Sequence, residues 1–260
     1  MKPMSTRNSE GVVLKNIDDY WEKYTLDYSF EFTLRLYRQK HLYKILNDLK
    51  PKRVLEIGGG FNPYCEEYQQ FEEYTIIEPG TAPFGSLAEK FSNNAAITIY
   101  NEFFENCAEM LDKNTYDFII LNGVLHEVQD GSLFLVQIEK IMNENTALYI
   151  NVPNANSMHR LIGVASGIIK SVTDKTDRNL TLEQTEVYSA SSLTSLVSAS
   201  MTNSVISEIG TFFLKPFTHA QMQGCVKTGI IDEKVLDGLY SISTEFPDIG
   251  AELYCLVRLK

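Results

Sequence analysis

Glu56, the triplet Gly58, Gly59 and Gly60, and Glu78 define the first chemistry open to this 260-residue chain. The glycines follow the apolar run Arg53 to Ile57 directly. Glycine lets the backbone approach a ligand closely, and the N–H groups that open a following helix can point at it. A dinucleotide fingerprint needs a third glycine, and Phe61, Asn62 and Pro63 stand in its place. The carboxylate of Glu56, two residues before the turn, repels a diphosphate and attracts an amine or a sulfonium. Glu78 ends the run Thr75-Ile76-Ile77 eighteen positions after Gly60. From there a carboxylate can accept hydrogen bonds from both hydroxyls of a ribose. Each feature alone also suits an ordinary turn or a solvated strand end; the ordered set points to a cationic nucleoside.

With Glu56, Gly58, Gly60 and Glu78 in that order, the chain resembles the class I S-adenosylmethionine-dependent methyltransferases, whose glycine motif reads E-x-G-x-G and whose second strand ends in an acid. The likeness continues through Asn101-Glu102-Phe103-Phe104-Glu105 and through Tyr116 to Glu127, and covers Pro51 to Val152 well. It departs at Pro63, where many members carry a small residue. The resemblance implies S-adenosylmethionine as cofactor and S-adenosylhomocysteine as product. It implies contacts from Glu56, Gly58, Gly59, Gly60, Glu78 and Asn122, with Glu102 and the Phe103 amide against adenine. Patches of the C-terminal half, Val152 to Ser157, Phe213 to Pro216 and Gln221-Met222, resemble small-molecule methyltransferases encoded among bacterial surface-polysaccharide biosynthesis enzymes.

Methyl transfer from a sulfonium is an in-line displacement that needs an unprotonated lone pair on the acceptor, and a hydroxyl acceptor must also lose a proton. His126, in the loop after the fourth strand, is the expected base; capping or packing against the next helix is its other reading. His159 and His219 each open a segment leaving the carboxyl edge of the sheet, and Tyr188 is a further group for the acceptor. His41 reads as structural, and Tyr20 and Tyr24 as a lid or as core aromatics. Between residues 160 and 178, Arg160, Lys170, Lys175 and Arg178 stand against Asp174 and Asp177 in a chain that is otherwise strongly acidic, a contrast that suits an anionic, phosphorylated or nucleotide-linked acceptor. A solvated lid of mixed charge has the same composition.

These groups need a scaffold, and apolar runs alternating with helical patterns supply one. Strands are expected at Arg53 to Ile57, Tyr74 to Ile77, Ile97 to Tyr100, Phe118 to Leu121, Ala147 to Val152, Val205 to Leu214 and Glu252 to Leu259. The alternation predicts an α/β, Rossmann-like fold: a seven-stranded, mostly parallel sheet with an antiparallel last strand and helices on both faces. Residues 1–50 read as N-terminal helices over the cofactor site, including Ile17 to Tyr24 and Phe30 to Leu49. Residues 51–260 read as the catalytic domain, with cap insertions at 154–188 and 216–248. A net charge of −11 disfavours nucleic acid as partner. The polar stretch Met1 to Val13 and the lack of a long apolar run predict a cytoplasmic protein with no membrane contact. The four cysteines lie at no metal-ligand spacing, so no metal is expected. A catalytically silent S-adenosylmethionine-binding module that recognises a partner protein, and an NAD-dependent oxidoreductase, are the alternatives.

Overall fold

Parallel strands buried on both faces need nearly continuous apolar sequence, and the chain meets that demand in order. The computed structural model describes residues 15–26, 30–111 and 115–260; Met1 to Val13 lies outside them. The strands are β1 (Arg53–Ile57), β2 (Glu73–Ile77), β3 (Ile97–Tyr100), β4 (Phe118–Asn122), β5 (Ala147–Pro153), β6 (Ser204–Phe212) and β7 (Glu252–Leu259). They form one sheet in the order β3-β2-β1-β4-β5-β7-β6. β1 to β5 pair in parallel, and β7 runs antiparallel between β5 and β6. The expected fold class is the one observed.

The helices are α1 (Ile17–Leu26), α2 (Glu31–Leu49), α3 (Thr81–Lys90), α4 (Phe104–Cys107), α5 (Gly131–Glu139), α6 (Met158–Ala165), α7 (Asp177–Thr181), α8 (Ala190–Ser200), α9 (His219–Lys227) and α10 (Glu233–Ser241). Strand alternation sorts the core between them. Leu55 and Ile57 face α4, α5 and α8 with Phe104, Phe134 and Leu193. Val54, Tyr74 and Ile76 face α2 and α3 with Leu42, Leu46 and Leu87. The same alternation turns Glu56 away from Leu55 and Ile57. The first half of α2 packs Phe30, Leu34 and Tyr37 against Phe213, Met222 and Tyr240, tying the helix to α9 and α10.

Three boundaries differ from those expected. β6 ends at Phe212 because Phe213 takes a φ of +62°, a left-handed turn that redirects the chain toward Lys215. The helix expected over Leu161 to Ile169 runs instead over α6 and stops before Gly167, at φ +72°. The helical segment from Thr218 to Ser243 divides into α9 and α10 at Gly229, with Asp232 capping α10 through the Val235 N–H. Among the described residues no helix is long and apolar enough to cross a membrane.

β7 enters the sheet through a tight contact at Gly250, where a Cβ would lie 2.6 Å from the Phe212 nitrogen and 2.7 Å from its carbonyl oxygen. Gly250→Ala is therefore expected to lower unfolding free energy by about 3 kcal/mol, measured by urea denaturation.

Candidate functional site

In an open α/β sheet the crevice forms beyond the carboxyl ends of the strands, where the strand order reverses. Here β1 and β4 are those neighbours, and a cavity of about 910 Å³ opens above them. Its walls hold Glu56, Gly58, Gly59, Gly60, Glu78, Phe103 and Asn122, seven of the eight cofactor residues expected. Gly58 and Gly60 have φ of +81° and +56°, and a Cβ on Gly58 would lie 2.5 Å from a Val124 methyl. Only glycine serves there.

Glu78 closes this turn: its carboxylate accepts hydrogen bonds from the Gly60 N–H at 2.8 Å and the Gly80 N–H at 2.7 Å. Burial pushes its pKa up to about 7, against those two bonds. Glu56 accepts from the Tyr64 N–H at 3.0 Å and from the Tyr74 hydroxyl, and burial pushes it up to about 8. Asn122 brings a side-chain oxygen that is buried and has no hydrogen-bond partner. Glu102 is the member that stays outside. Its carboxylate accepts from the Phe103 N–H and from the Asn106 amide, both at 2.9 Å, and so secures the start of α4. Glu105, one turn along, lines the cavity instead.

The helix α1 lies across the glycine turn. A Cβ on Gly80 would lie 2.4 Å from the Trp21 indole nitrogen, and the Trp21 ring packs edge-on against Phe61 at 5.2 Å. Asp18 accepts from the Thr81 N–H and hydroxyl, each at 2.9 Å. Tyr20 donates to Glu127 at 3.0 Å, while Lys15 reaches Glu127 at 3.4 Å and the Leu182 carbonyl at 2.5 Å. Trp21, the single tryptophan, was the signal available in the sequence for this contact.

The opposite wall is polar. Glu31 binds Arg38, Arg178 at 3.2 Å and Nε2 of His219 at 3.2 Å. Burial alone would raise the Glu31 pKa, but Arg38, His219 and Arg178 hold it well below the usual carboxylate range. Arg38 also pairs with Glu252 at 3.2 Å. Nδ1 of His219 lies 2.9 Å from Nζ of Lys215, a lysine only 2% exposed. Glu31, Arg35, Arg38 and Glu252 line the cavity without having been singled out by spacing or motif, and Lys215, which also lines it, entered only as part of the patch Phe213 to Pro216. The sequence signal for Lys215 was its place at the end of an apolar run, before Pro216.

His126, His159 and His219 converge on the cavity, and Tyr188 does not. Tyr188 pairs through its backbone with Asn154, which turns its ring into the core against α5 and α8. Nδ1 atoms of His126 and His159 are buried without a partner. Burial lowers the pKa of His126 to about 3 and of His159 to about 2, so both rings are neutral at physiological pH. Arg160 does not face a ligand freely: its guanidinium donates to the carbonyls of Val172, at 2.6 Å, and Asp174 and so fastens the segment after α6. Lys170 and Lys175 are absent from the cavity wall, and Arg178 lines it, paired with Glu31 at 3.2 Å. His41 stacks on Phe212 at 4.1 Å, in keeping with a structural role.

The raised carboxyls make the unliganded protein sensitive to pH. The folded chain keeps protons on Glu56 and Glu78 that the unfolded chain releases from pH 4.5 upward, so their protonation supports folding below that value and the support is lost as pH rises through about 7 and 8. Glu56→Gln, an isostere of the protonated form, is expected to change stability little at pH 4.5 and to raise unfolding free energy by more than about 1 kcal/mol at pH 8.5. Urea unfolding at the two pH values measures it.

Comparison with known proteins agrees with this geometry. A family model described as a methyltransferase domain matches residues 29–200. No curated protein matches the chain in sequence. Among solved structures, the plantazolicin methyltransferase BamL, in complex with a triazolic desmethylPZN analogue and S-adenosylhomocysteine, aligns over 93% of this chain and 95% of its own, with a TM-score of 0.55 and 15% identity. An S-adenosylmethionine-dependent methyltransferase from Mesorhizobium loti aligns over 79% of this chain and 90% of its own (TM-score 0.55, 13% identity). The N-methyltransferase NodS from Bradyrhizobium japonicum aligns over 85% and 94% (TM-score 0.51, 11% identity). With the family model covering most of the chain and the strand order of the class I fold beneath it, the chain belongs to the methyltransferase-domain family and has the Rossmann-like fold of S-adenosylmethionine-dependent methyltransferases.

Proposed function

We propose that the protein transfers the methyl group of S-adenosylmethionine to an O or N atom of a small anionic metabolite. One observation carries this reading: a single cavity joins the glycine turn to the charged wall around Glu31. The cofactor supplies an electrophilic methyl group. The residues present fit it. Glu78 suits the ribose hydroxyls, and Gly58 to Gly60 allow backbone approach. The unpartnered oxygen of Asn122 suits the amino group, and Phe103 with Glu105 flanks the place for adenine.

The cofactor's carboxylate needs a cation, and Arg35 is suited to it. Its Nε and Nη1 are buried without partners. Glu31, Arg35, Gln39 and Tyr43 follow one another at four-residue spacing and so share a face of α2. That face runs from the charged wall at Glu31 to Tyr43, which packs against Tyr64 beside Glu56. Arg35 stands between the two ends, where the methionine portion would lie.

An acceptor would enter beneath α6, α7 and α9, which send His159, Arg178 and His219 into the cavity. This supports reading 154–188 and 216–248 as a cap, and α1 with α2 as the cover of residues 1–50. Arg38 and Arg178 favour an acidic group on the acceptor. His126 offers a neutral nitrogen lone pair, suited to orienting the acceptor; its burial makes it a weak proton store. A place in surface-polysaccharide biosynthesis rests on the sequence patches alone.

Calorimetry is expected to show binding of S-adenosylhomocysteine and none of NAD; the reverse result overturns the reading. Arg35→Met should weaken that binding by about tenfold or more, the size of a lost charge-assisted hydrogen bond. Incubation with radiolabelled S-adenosylmethionine and a filtered small-molecule extract of cells that express the protein should yield labelled product, which mass spectrometry then identifies.

A further inference from the structure

We propose that Lys215 is the general base of methyl transfer, taking the acceptor's proton on Nζ while His219 and Glu31 hold the resulting charge. The inference rests on the methyltransferase reading above and names a residue for its proton step.

Hydrogen bonding fixes the direction of the chain. The Glu31 carboxylate can only accept, so His219 donates from Nε2 at 3.2 Å and its Nδ1 carries the lone pair. Nδ1 must then accept from Lys215 Nζ at 2.9 Å. An ammonium at this position would bring three donors to one acceptor in a buried site. Among the described residues no carboxylate oxygen lies within 4.0 Å of Nζ. A neutral amine donates once to His219 and keeps its lone pair for a ligand.

The surroundings act in the same direction. Glu31 from α2 and Glu252 from β7 favour a charge on Lys215, but each is already shared with Arg38. Arg160 and His159 from α6, Arg178 from α7 and His219 from α9 contribute cations or neutral rings. Burial dominates and brings the Lys215 pKa down to about 7, with Arg178 and Arg160 adding to it against Glu252 and Glu31. The left-handed backbone of Phe213 is what turns Lys215 from the strand end into the cavity. A non-glycine residue held there costs about 1 kcal/mol or more, a strain that recurs at working sites.

The step balances within the site. The acceptor's X–H bond breaks, and its proton joins the Nζ lone pair. X keeps the electron pair and bonds the methyl carbon with it, and the pair of the broken carbon–sulfur bond stays on sulfur. The new ammonium is bound by His219, which Glu31 backs.

Two measurements test this. Trace acetylation of the full protein by acetic anhydride across pH 5 to 10, read by peptide mass spectrometry, should show Lys215 reacting with a midpoint near 7, well below the ordinary lysine range. Lys215→Met and Lys215→Arg should each lower methyl transfer from labelled S-adenosylmethionine into the filtered extract by about a hundredfold or more. Both variants should keep S-adenosylhomocysteine affinity within about threefold of the unmodified protein, which shows that they are folded. The unmodified rate should rise with pH along the acetylation midpoint. Lys215 titrating with the surface lysines, or an arginine variant that keeps its turnover, overturns the proposal, because arginine holds an anion but cannot take a proton. Absence of turnover in the unmodified protein overturns the methyltransferase reading and this proposal with it.

Discussion

Everything on the proposed acceptor side depends on one buried carboxylate. Glu31, at the start of α2, is bound by Arg38 from its own helix, Arg178 from α7 and His219 from α9. Desolvating so many charges is costly, and removing one member would leave its partners buried and uncompensated. The arrangement therefore does more to specify a geometry than to add stability. Three segments remote in sequence can meet in only one way that satisfies Glu31, and that way brings Lys215, His159 and Arg178 to one wall of the cavity.

The cofactor side is organised by a different constraint, the absence of side chains. Gly58 and Gly60 adopt backbone angles that other residues reach only at a cost, and the space a Cβ would need is filled by Val124 and Trp21. Glu78 then uses both carboxylate oxygens on the N–H groups of Gly60 and Gly80, so that the acid expected to read a ribose also shapes the turn that precedes it.

Much of this could be read from sequence, for definable reasons. The strands of the sheet were legible because parallel strands leave continuous apolar runs, and the glycine turn because its residues are adjacent. Glu102 is engaged at the start of α4 rather than in the cavity wall, because an acid near a helix start serves the helix as readily as a ligand. Tyr188 packs into the core and not into the cavity, because a cap residue at the edge of the sheet can face either way and its backbone pairing with Asn154 decides. Arg35, Lys215 and Glu252 escaped notice as site residues for one shared reason. They come from α2, the loop after β6, and β7, and nothing local records that the fold brings them together. Positive charge was expected from residues 154–188, yet Arg160 is spent on the carbonyls of its own segment, and α2 adds Arg35 and Arg38 to the cavity wall.

The placement of α1 has a consequence for traffic through the molecule. Its Asp18 and Trp21 grip the turn at Thr81 and Gly80, while Lys15 and Lys23 hold Leu182 and Glu183 beyond α7. A rigid helix fastened at both places cannot lift from one without straining the other. If the glycine turn and the charged wall hold the two reactants as proposed, contacts made through one helix would link their binding even where they never touch.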